Sequence, residues 1–314
     1  MRMRRLSLLV CFIMALTGCK IPCITPSPHP AQKPKGPMPS FTRIIVDGDI
    51  DVTLHTGCAR PSVTLRGNEH DQSAVLMTVN YGLLRLKLPK TKPKPNHDRV
   101  HADICTHYLT HWTYRGTGTV VGSNIRSGML DATIDNQGST VLQGQIALRH
   151  LIIRGSGFTQ INGITGHGLT ISVFGKPRIQ LAGIIDVVAL NMHGGGWLSL
   201  HWLKSQVLKI RAHDAAFIQM AGLADILDVE LWDTARFNGR YLRGAHVFAK
   251  THDRAIADIS VTKRQHTLAL DTSNIYFHNF PDMKADFMAN NGAVLDLREW
   301  ELPFMEEQTR YNAS

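Results

Sequence analysis

Apolar residues alternate with polar ones in short runs along most of the chain, and the runs return every 19 or 20 residues. Alternation with a period of two indicates strands that bury one face. A unit of this kind repeated at a fixed length indicates stacked coils. The sequence therefore predicts an all-β fold over residues 113–297, a right-handed parallel β-helix (β-solenoid) of about ten coils. The markers of the repeat are Gly118, Gly138, Gly157, Pro177, Gly196, Ala216, Ala235, Ala255, Asn274 and Ala293.

A short N-terminal β module is predicted ahead of the solenoid, at residues 41–112. Two alternating runs between Phe41 and Leu54 flank a tight turn, and further strands are expected at Ser62–Arg66 and 83–88. Residues 90–98 are rich in Lys and Pro and are predicted to form an exposed loop.

The two ends of the chain differ in character from the repeat. Residues 298–314 are predicted to form a C-terminal cap and tail, because a solenoid exposes its last coil unless something covers it. Trp300, Leu302 and Phe304 supply the apolar side chains for that cap. Residues 19–40 are rich in proline and predict an extended, semi-rigid tether.

The N-terminus predicts an export signal. Three arginines precede an apolar run that is too short to span a bilayer comfortably. The run ends in Leu-Thr-Gly-Cys19, which resembles the bacterial lipobox. That resemblance implies removal of residues 1–18, a diacylglyceryl group on Cys19 and acylation, for example with palmitate, of the new amino terminus. Lys20 in place of Asp implies sorting to the outer membrane, on its periplasmic or its surface side; a plain secretory signal is the alternative.

The N-terminal module also resembles a known family. Its order F-T-x-I-x-V-x-G-x-I-D-V-x-L-x-x-G, then V-T-L-x-G, then G-x-L-x-L, resembles the putative auto-transporter adhesin head GIN domain. The resemblance extends from Phe41 to about Gly183 and implies a β-helical domain behind an export signal, without catalytic residues. The matching positions are Phe41, Ile44, Val46, Gly48, Ile50, Asp51, Val52, Leu54, Gly57, Val63, Leu65, Gly67, Gly82, Leu84 and Leu86.

Export would place the cysteines in an oxidising compartment, where disulfides are permitted. Cys11 would leave with the signal and Cys19 would carry lipid. Cys58 follows a predicted turn and Cys105 ends a predicted strand of the same module, so we expect these two to pair. Sequence alone does not determine connectivity, and Cys23 would be left as a free or intermolecular thiol.

One edge of the predicted solenoid combines imidazoles and carboxylates. Parallel coils stack about 4.8 Å apart, so equivalent turn residues form rows. Because Asp at a turn hydrogen-bonds its own backbone, our first interpretation of these rows is structural. A ligand-binding edge is the second, and acid–base chemistry as in glycoside cleavage is the third. The residues are His193, His213, Trp232 and His252, three positions before a marker, and Asp214, Asp233 and Asp253, two positions before.

A second histidine-rich group invites a metal hypothesis. Its members are His97, His101, Cys105, His107 and His111. Spacings of four would converge on a helix face, but this segment alternates like a strand, in which such residues lie about 13 Å apart. We therefore predict surface or hydrogen-bonded histidines, no metal site and no cofactor, with a transition-metal site as the alternative.

Charge and motifs exclude several function classes. The net charge of +9 is spread along the chain, without the basic–aromatic clusters of a nucleic-acid-binding protein. No nucleophile elbow, phosphate loop, dinucleotide fingerprint or zinc-protease motif occurs.

We therefore predict a non-enzymatic outer-membrane lipoprotein whose solenoid is a binding or scaffolding surface. It would serve as a subunit of an envelope or secretion complex, or as an adhesin-like protein. Its partners would be the membrane, through the N-terminal lipid, and another envelope protein or a surface glycan. The alternative is a carbohydrate-active enzyme that uses the Asp/His edge.

Overall fold

The computed structural model describes residues 38–89, 99–279 and 283–296. Strands account for 76% of these residues and helix for 2%, and parallel strands stack into a β-solenoid of about nine turns. The predicted all-β solenoid is confirmed, with a number of turns close to the expected one. The signal peptide, nearly all of the tether, the Lys/Pro-rich loop and the C-terminal cap lie outside the described residues.

The N-terminal module is formed by short elements. They are β1 (Arg43–Asp47), β2 (Ile50–Thr56), β3 (Ser62–Arg66), α1 (Glu69–Ala74), β4 (Leu76–Asn80), β5 (Leu83–Lys87), β6 (Val100–Thr106) and β7 (His111–Gly116). Asn68 caps α1 by accepting the backbone N–H of His70 on its side chain. In the ranges that the structure describes, no helix is long and apolar enough to cross a membrane.

Long strands follow, one for each coil, and shorter ones end the described chain. The long strands are β8 (Thr119–Asn136), β9 (Ser139–Gly155), β10 (Phe158–Phe174), β11 (Arg178–His193), β12 (Trp197–Ala212), β13 (Phe217–Leu231), β14 (Arg236–Thr251) and β15 (Ile256–Leu270). The shorter ones are β16 (Asn274–Asn279), β17 (Lys284–Asn290) and β18 (Ala293–Asp296).

Each long strand pairs in parallel with the strand of the next coil. Between β8 and β9 the register shifts after Gly122 and again after Ser127. A coil therefore consists of three straight legs separated by two corners. Leg one follows the marker turn, leg two lies between the corners, and leg three leads into the next turn.

The N-terminal module continues this stack and closes its first end. β1 lies between β5 and β7, and β2 lies between β6 and β8, all in parallel register. β3 and β4 add antiparallel outer strands to β6 and β5. Terminal units with a different pairing are the caps that a repeat fold needs. Strand β7 crosses the boundary between residues 112 and 113, where the sequence placed the start of the solenoid, and the domain limits stay a prediction.

The inward positions of the legs form one apolar core. Residues two and four positions after a marker are buried, for example Ile179 with Leu181 and Leu198 with Leu200. Each fully buried side chain of this size contributes about 1.5–3 kcal/mol. Apolar side chains at equivalent positions stack on one another along the rod. The stabilisation from their burial is therefore repeated in each coil.

The last two markers of the repeat were placed one residue too late. Asn274 pairs with Ile256, and Ala293 pairs with Asn274. The residue equivalent to Ala255 is therefore Ser273, and Gly292 follows it in the next coil. The step from Ala255 to Ser273 is 18 residues (273 − 255), one fewer than the shortest step in the predicted repeat.

Two features hold the first coils together. The hydroxyl of Tyr114 donates to the carbonyl of Ile50 and accepts the N–H of Gly118, each at 2.9 Å. Burial raises the pKa of Tyr114 to about 12, because desolvation disfavours the phenolate. A disulfide joins Cys58 to Cys105, with their Cα atoms 6.1 Å apart, and this is the pair expected from the sequence.

Neighbouring coils approach most closely at the first corner. Gly163 lies there with φ of +77°, and a Cβ on it would overlap the carbonyl oxygen of Gly144 in the preceding coil. Gly144 itself has φ of +155°. Glycine at this corner therefore permits both the left-handed backbone and the hydrogen-bonding distance between coils.

We expect Gly163→Ala to destabilise the solenoid much more than Gly168→Ala. The two glycines lie in the same strand with nearly equal φ, +77° and +76°, so the backbone strain of an added Cβ is common to both. At Gly168 the added Cβ would meet only Val188, at 3.9 Å. Overpacking at Gly163 should cost about 1–3 kcal/mol more. Thermal unfolding followed by circular dichroism measures the difference, and equal melting temperatures would contradict the close-approach explanation.

Candidate functional site

A column of aspartates occupies the turn at the end of leg three. Asp214, Asp233, Asp253 and Asp271 form this aspartate column, with φ of +63°, +60°, +56° and +58°. The equivalent position in earlier coils is a left-handed glycine, for example Gly194. Glycine adopts this conformation most readily, and Asp and Asn follow because their short side chains hydrogen-bond locally. The turn therefore selects these residue types.

Each carboxylate of the aspartate column binds the coil before it. Oδ2 of Asp214 accepts the backbone N–H of Gly194 at 2.8 Å, and Oδ2 of Asp233 accepts that of Asp214 at 2.9 Å. In the same way, Oδ2 of Asp253 accepts the backbone N–H of Asp233 at 3.0 Å, and Oδ2 of Asp271 accepts that of Asp253 at 3.1 Å. These charge-assisted bonds satisfy turn N–H groups. The geometry therefore supports a structural role for this row.

Beside the carboxylates, aromatic rings stack in a single row. This ring column consists of Phe174, His193, His213, Trp232 and His252. Successive ring centroids are 5.8, 4.7, 4.1 and 5.4 Å apart, and neighbouring planes are inclined by only 4° to 7°. Stacked rings fit because parallel coils repeat at about 4.8 Å. The guanidinium of Arg154 lies 5.2 Å from the Phe174 ring and ends the row with a cation–π contact.

The ring column offers its edges to a ligand. Neighbouring rings cover one another's faces, while Phe174 and His193 are exposed and the other three are half-buried. Imidazole nitrogens donate and accept hydrogen bonds, and aromatic edges carry partial positive charge. A carboxylate that accepts one N–H still has acceptor capacity. The arrangement therefore suits a ligand rich in hydroxyl, carbonyl or anionic oxygen, and it does not suit a sugar ring stacked flat on an aromatic face.

A groove adjoins the C-terminal end of the ring column. Glu230 contacts His252 at 3.4 Å and Lys250 at 3.4 Å, and it also lines a groove of about 700 Å³ on leg three. Within the groove, the rings of Phe248 and His266 stack with centroids 5.1 Å apart. Glu230 thus links the row of rings to a mixed apolar and charged concavity.

The structure brings together every residue predicted for this edge. His193, His213 and His252 stack with Trp232, and Asp214, Asp233 and Asp253 follow one residue later in the same turns. Their use as a ligand-binding edge stays a prediction.

Two further members were missed by sequence analysis. Phe174 stands three residues before Pro177, so the rule that found the histidines also finds it. Asp271 was hidden because the marker at Asn274 was one residue late.

The histidines of the N-terminal module have local roles. His101 Nε2 lies 3.0 Å from Thr53 Oγ1, and His111 Nε2 lies 3.2 Å from Thr113 Oγ1. Cys105 is part of the disulfide. In the described part of the chain, no three His, Cys, Asp or Glu side chains are arranged to hold a metal ion, and His97 falls outside that part.

We expect Asp233→Ala to destabilise the fold by about 1–2 kcal/mol, because it removes the hydrogen bond to the solvent-exposed N–H of Asp214 from a left-handed turn. Alanine also tolerates a φ of +60° poorly. Asp233→Asn keeps an acceptor and tolerates the backbone, so it should stay within about 0.5 kcal/mol of the wild type. Asp225→Ala, at an exposed aspartate outside the turn, serves as the control. Chemical denaturation measures all three, and an Ala variant as stable as the Asn variant would argue against the structural role.

Residues 40–185 match the model of the family described as "Putative auto-transporter adhesin, head GIN domain". No curated protein matches the chain.

Several solved structures resemble the chain at low identity. A putative adhesin from Parabacteroides merdae is 14% identical with a TM-score of 0.44, over 83% of this chain and 93% of that one. A putative lipid binding protein from Parabacteroides distasonis is 11% identical with a TM-score of 0.43, over 82% and 93%. A putative adhesin from Bacteroides fragilis is 13% identical with a TM-score of 0.32, over 83% and 94%.

The family match begins just before β1 and ends in leg two of β11, so it spans the N-terminal module and the first coils. It agrees with the resemblance found in the sequence from Phe41 to about Gly183. Residues 40–185 of this chain therefore match the putative auto-transporter adhesin, head GIN domain, both in the family model and in the residue order quoted from the sequence.

Proposed function

We propose that this chain is a non-enzymatic binding protein of the bacterial cell envelope. A lipid on Cys19 holds it at the outer membrane, and the ring column with its adjoining groove is the binding edge. The observation that carries this proposal is the row of five stacked rings, which presents hydrogen-bonding edges at the coil repeat. The family's description as an adhesin head supports a role in surface binding.

The aspartate column supports binding over catalysis. A general acid or base needs a carboxylate that can reach the proton it transfers. Here Asp214, Asp233 and Asp253 each accept a backbone N–H from the preceding coil through Oδ2. These groups are therefore engaged in holding the turns, and the carbohydrate-active enzyme is the weaker hypothesis.

The spacing of the edge indicates what kind of partner fits. Ring edges recur at 4.1 to 5.8 Å, in a row parallel to the rod axis. A partner with polar groups along an extended backbone, such as a surface glycan or an extended segment of an envelope protein, can contact several rungs at once. Several weak contacts on one rigid scaffold add without further ordering cost. We propose that the rod displays this edge within an envelope complex or towards an external surface.

We expect a photoreactive benzoylphenylalanine at position 193 to capture a discrete partner in intact cells. The aromatic replacement retains a ring beside His213, whose centroid lies 4.7 Å from that of His193. Trp232→Ala in the same chain should abolish capture, because it removes the central ring of the row. Glycosidase sensitivity and mass spectrometry of the cross-linked band distinguish a glycan from a protein.

The matched control carries the same photoreactive residue at Met129, an exposed side chain on the first long strand, away from the ring column. Equal capture at both positions, or capture that Trp232→Ala leaves intact, would contradict the binding edge. Release of sugar products that Asp233→Asn abolishes, with the melting temperature unchanged, would favour the enzyme instead.

We expect Cys19→Ala to abolish labelling by a palmitate analogue and to move the protein out of the outer-membrane fraction. The physical reason is that several acyl chains anchor stably where a single chain binds only marginally. Cys23→Ala is the control, because that thiol lies in the predicted tether and outside the lipobox. Labelling that persists in Cys19→Ala would contradict the lipid anchor on Cys19. It would leave the proposal for the ring column unaffected.

A further inference from the structure

We propose that an apolar ridge on the first corner of the solenoid docks on the surface of an anionic phospholipid bilayer. The corner ridge consists of Ile184, Trp202, Leu223 and Tyr241, one residue from each of four consecutive coils. It lies at the junction of legs one and two, whereas the ring column lies at the turn between leg three and leg one. The inference does not depend on the proposed binding edge.

Trp202 is the most unusual residue of this ridge. Its φ is +67°, in a region where bulky side chains are unfavourable, and 76% of it is exposed. The neighbouring coils place glycines at this corner, Gly183 with φ of +153° and Gly222 with φ of +145°. Local stability would therefore favour glycine here. A strained backbone that carries an exposed indole points to a function for the side chain.

The register aligns three residues of the ridge, Ile184, Trp202 and Tyr241. Ile185, Leu203 and Leu242 are buried inward residues, and Ile185 pairs with Leu203 across adjacent coils. Ile184 and Trp202 each stand one position before this pair, so both project outward, and Tyr241 stands one position before Leu242. In the coil between Trp202 and Tyr241 the small residue Ala221 stands opposite Tyr241, and Leu223 lies beside the row, two residues further along its strand.

All four side chains of the ridge are exposed to solvent and are not part of the core. Their exposed fractions are 75% for Ile184, 76% for Trp202, 53% for Leu223 and 40% for Tyr241. Three coil steps of about 4.8 Å give a ridge about 15 Å long, parallel to the rod axis. Single exposed apolar residues are ordinary, but a contiguous set marks an interaction surface.

The charges around the ridge favour a lipid headgroup layer. Lys204 pairs with Leu223 across adjacent coils, and the guanidinium of Arg240 lies 6.0 Å from the Tyr241 ring. Asp186 follows Ile185 as Lys204 follows Leu203, so it stands level with Lys204, and Asp225 stands two residues after Leu223. Asp186 accepts the N–H of Gly168 at 3.3 Å, and Arg243 pairs with Leu223 from the next coil. Three cations, Lys204, Arg240 and Arg243, therefore outnumber the two carboxylates around the ridge, and one of those carboxylates already accepts a backbone N–H.

This combination matches the chemistry of a bilayer interface. Indole and phenol rings place an apolar body and a polar tip at headgroup level. Aliphatic side chains enter the acyl boundary, and nearby Lys and Arg are attracted to anionic lipids. Because the ridge runs along the rod, the solenoid would lie side-on to the bilayer.

The test measures vesicle binding by the full chain carrying Cys19→Ala, so that no attached lipid contributes. All variants share the same N-terminal segment, and differences between them therefore report on the folded domain. Vesicles of equal parts phosphatidylcholine and phosphatidylglycerol are compared with phosphatidylcholine alone. We expect Trp202→Gly to weaken partitioning onto the anionic vesicles about tenfold, and Ile184→Ser to weaken it by a similar factor. Brominated lipid should quench a component of tryptophan emission that Trp202→Gly removes.

The matched control is Tyr81→Gly, because Tyr81 is an exposed aromatic residue with φ of +49° at the N-terminal hairpin, outside the ridge. It should leave partitioning unchanged. Glycine suits the backbone of position 202, so Trp202→Gly should keep the wild-type melting temperature, and a loss of binding then reports on the side chain.

Three results of the vesicle experiment would overturn the proposal. They are wild-type protein that does not bind anionic vesicles, equal loss of binding in Trp202→Gly and Tyr81→Gly, and quenching that persists without Trp202. Self-association or capture of a protein that depends on Trp202, with vesicle binding independent of it, would assign the ridge to another partner and would also overturn it.

Discussion

Each coil of this solenoid must present its backbone N–H and C=O groups opposite those of the coil before it. The other features of the molecule follow from keeping that register. Straight legs satisfy it with alternating side chains, whereas corners and turns satisfy it only with residues that accept a left-handed backbone or a very close neighbour. Glycine fills these places in the early coils, and aspartate takes over at the turn in the later ones. The row of carboxylates is therefore a consequence of turn geometry repeated at a fixed spacing.

The period and the buried columns could be predicted from sequence because both are local patterns. Alternation marks the legs, and the 19- to 20-residue repeat fixes how they stack. The corners could not be located in the same way, because Gly163 and Gly183 stand inside runs that otherwise look like strands. The antiparallel pairing of β3 and β4 was also hidden, since it depends on contacts far apart in sequence.

The residues of the candidate site could be predicted from the sequence, but the contacts between them could not. The positions of His193, His213 and Trp232 followed from counting back from each marker. Whether their rings stack or turn away depends on side-chain rotamers and on the coil spacing, which a sequence does not display. Trp202 could not be singled out from the sequence, because the corner places this one residue opposite two residues of the preceding coil and disturbs the count. Residues that depart from the conformational preferences of their sequence are often functional residues.

The position of β1 has a mechanical consequence. This strand is the first of the described chain, and it is hydrogen-bonded along both sides, to β5 and to β7. A pull applied from the N-terminal side therefore loads two parallel ladders at once, and both must shear before the strand can leave. Resistance to force depends on the rate of such an opening and not on equilibrium stability. A rod built in this way resists tension at its N-terminal end.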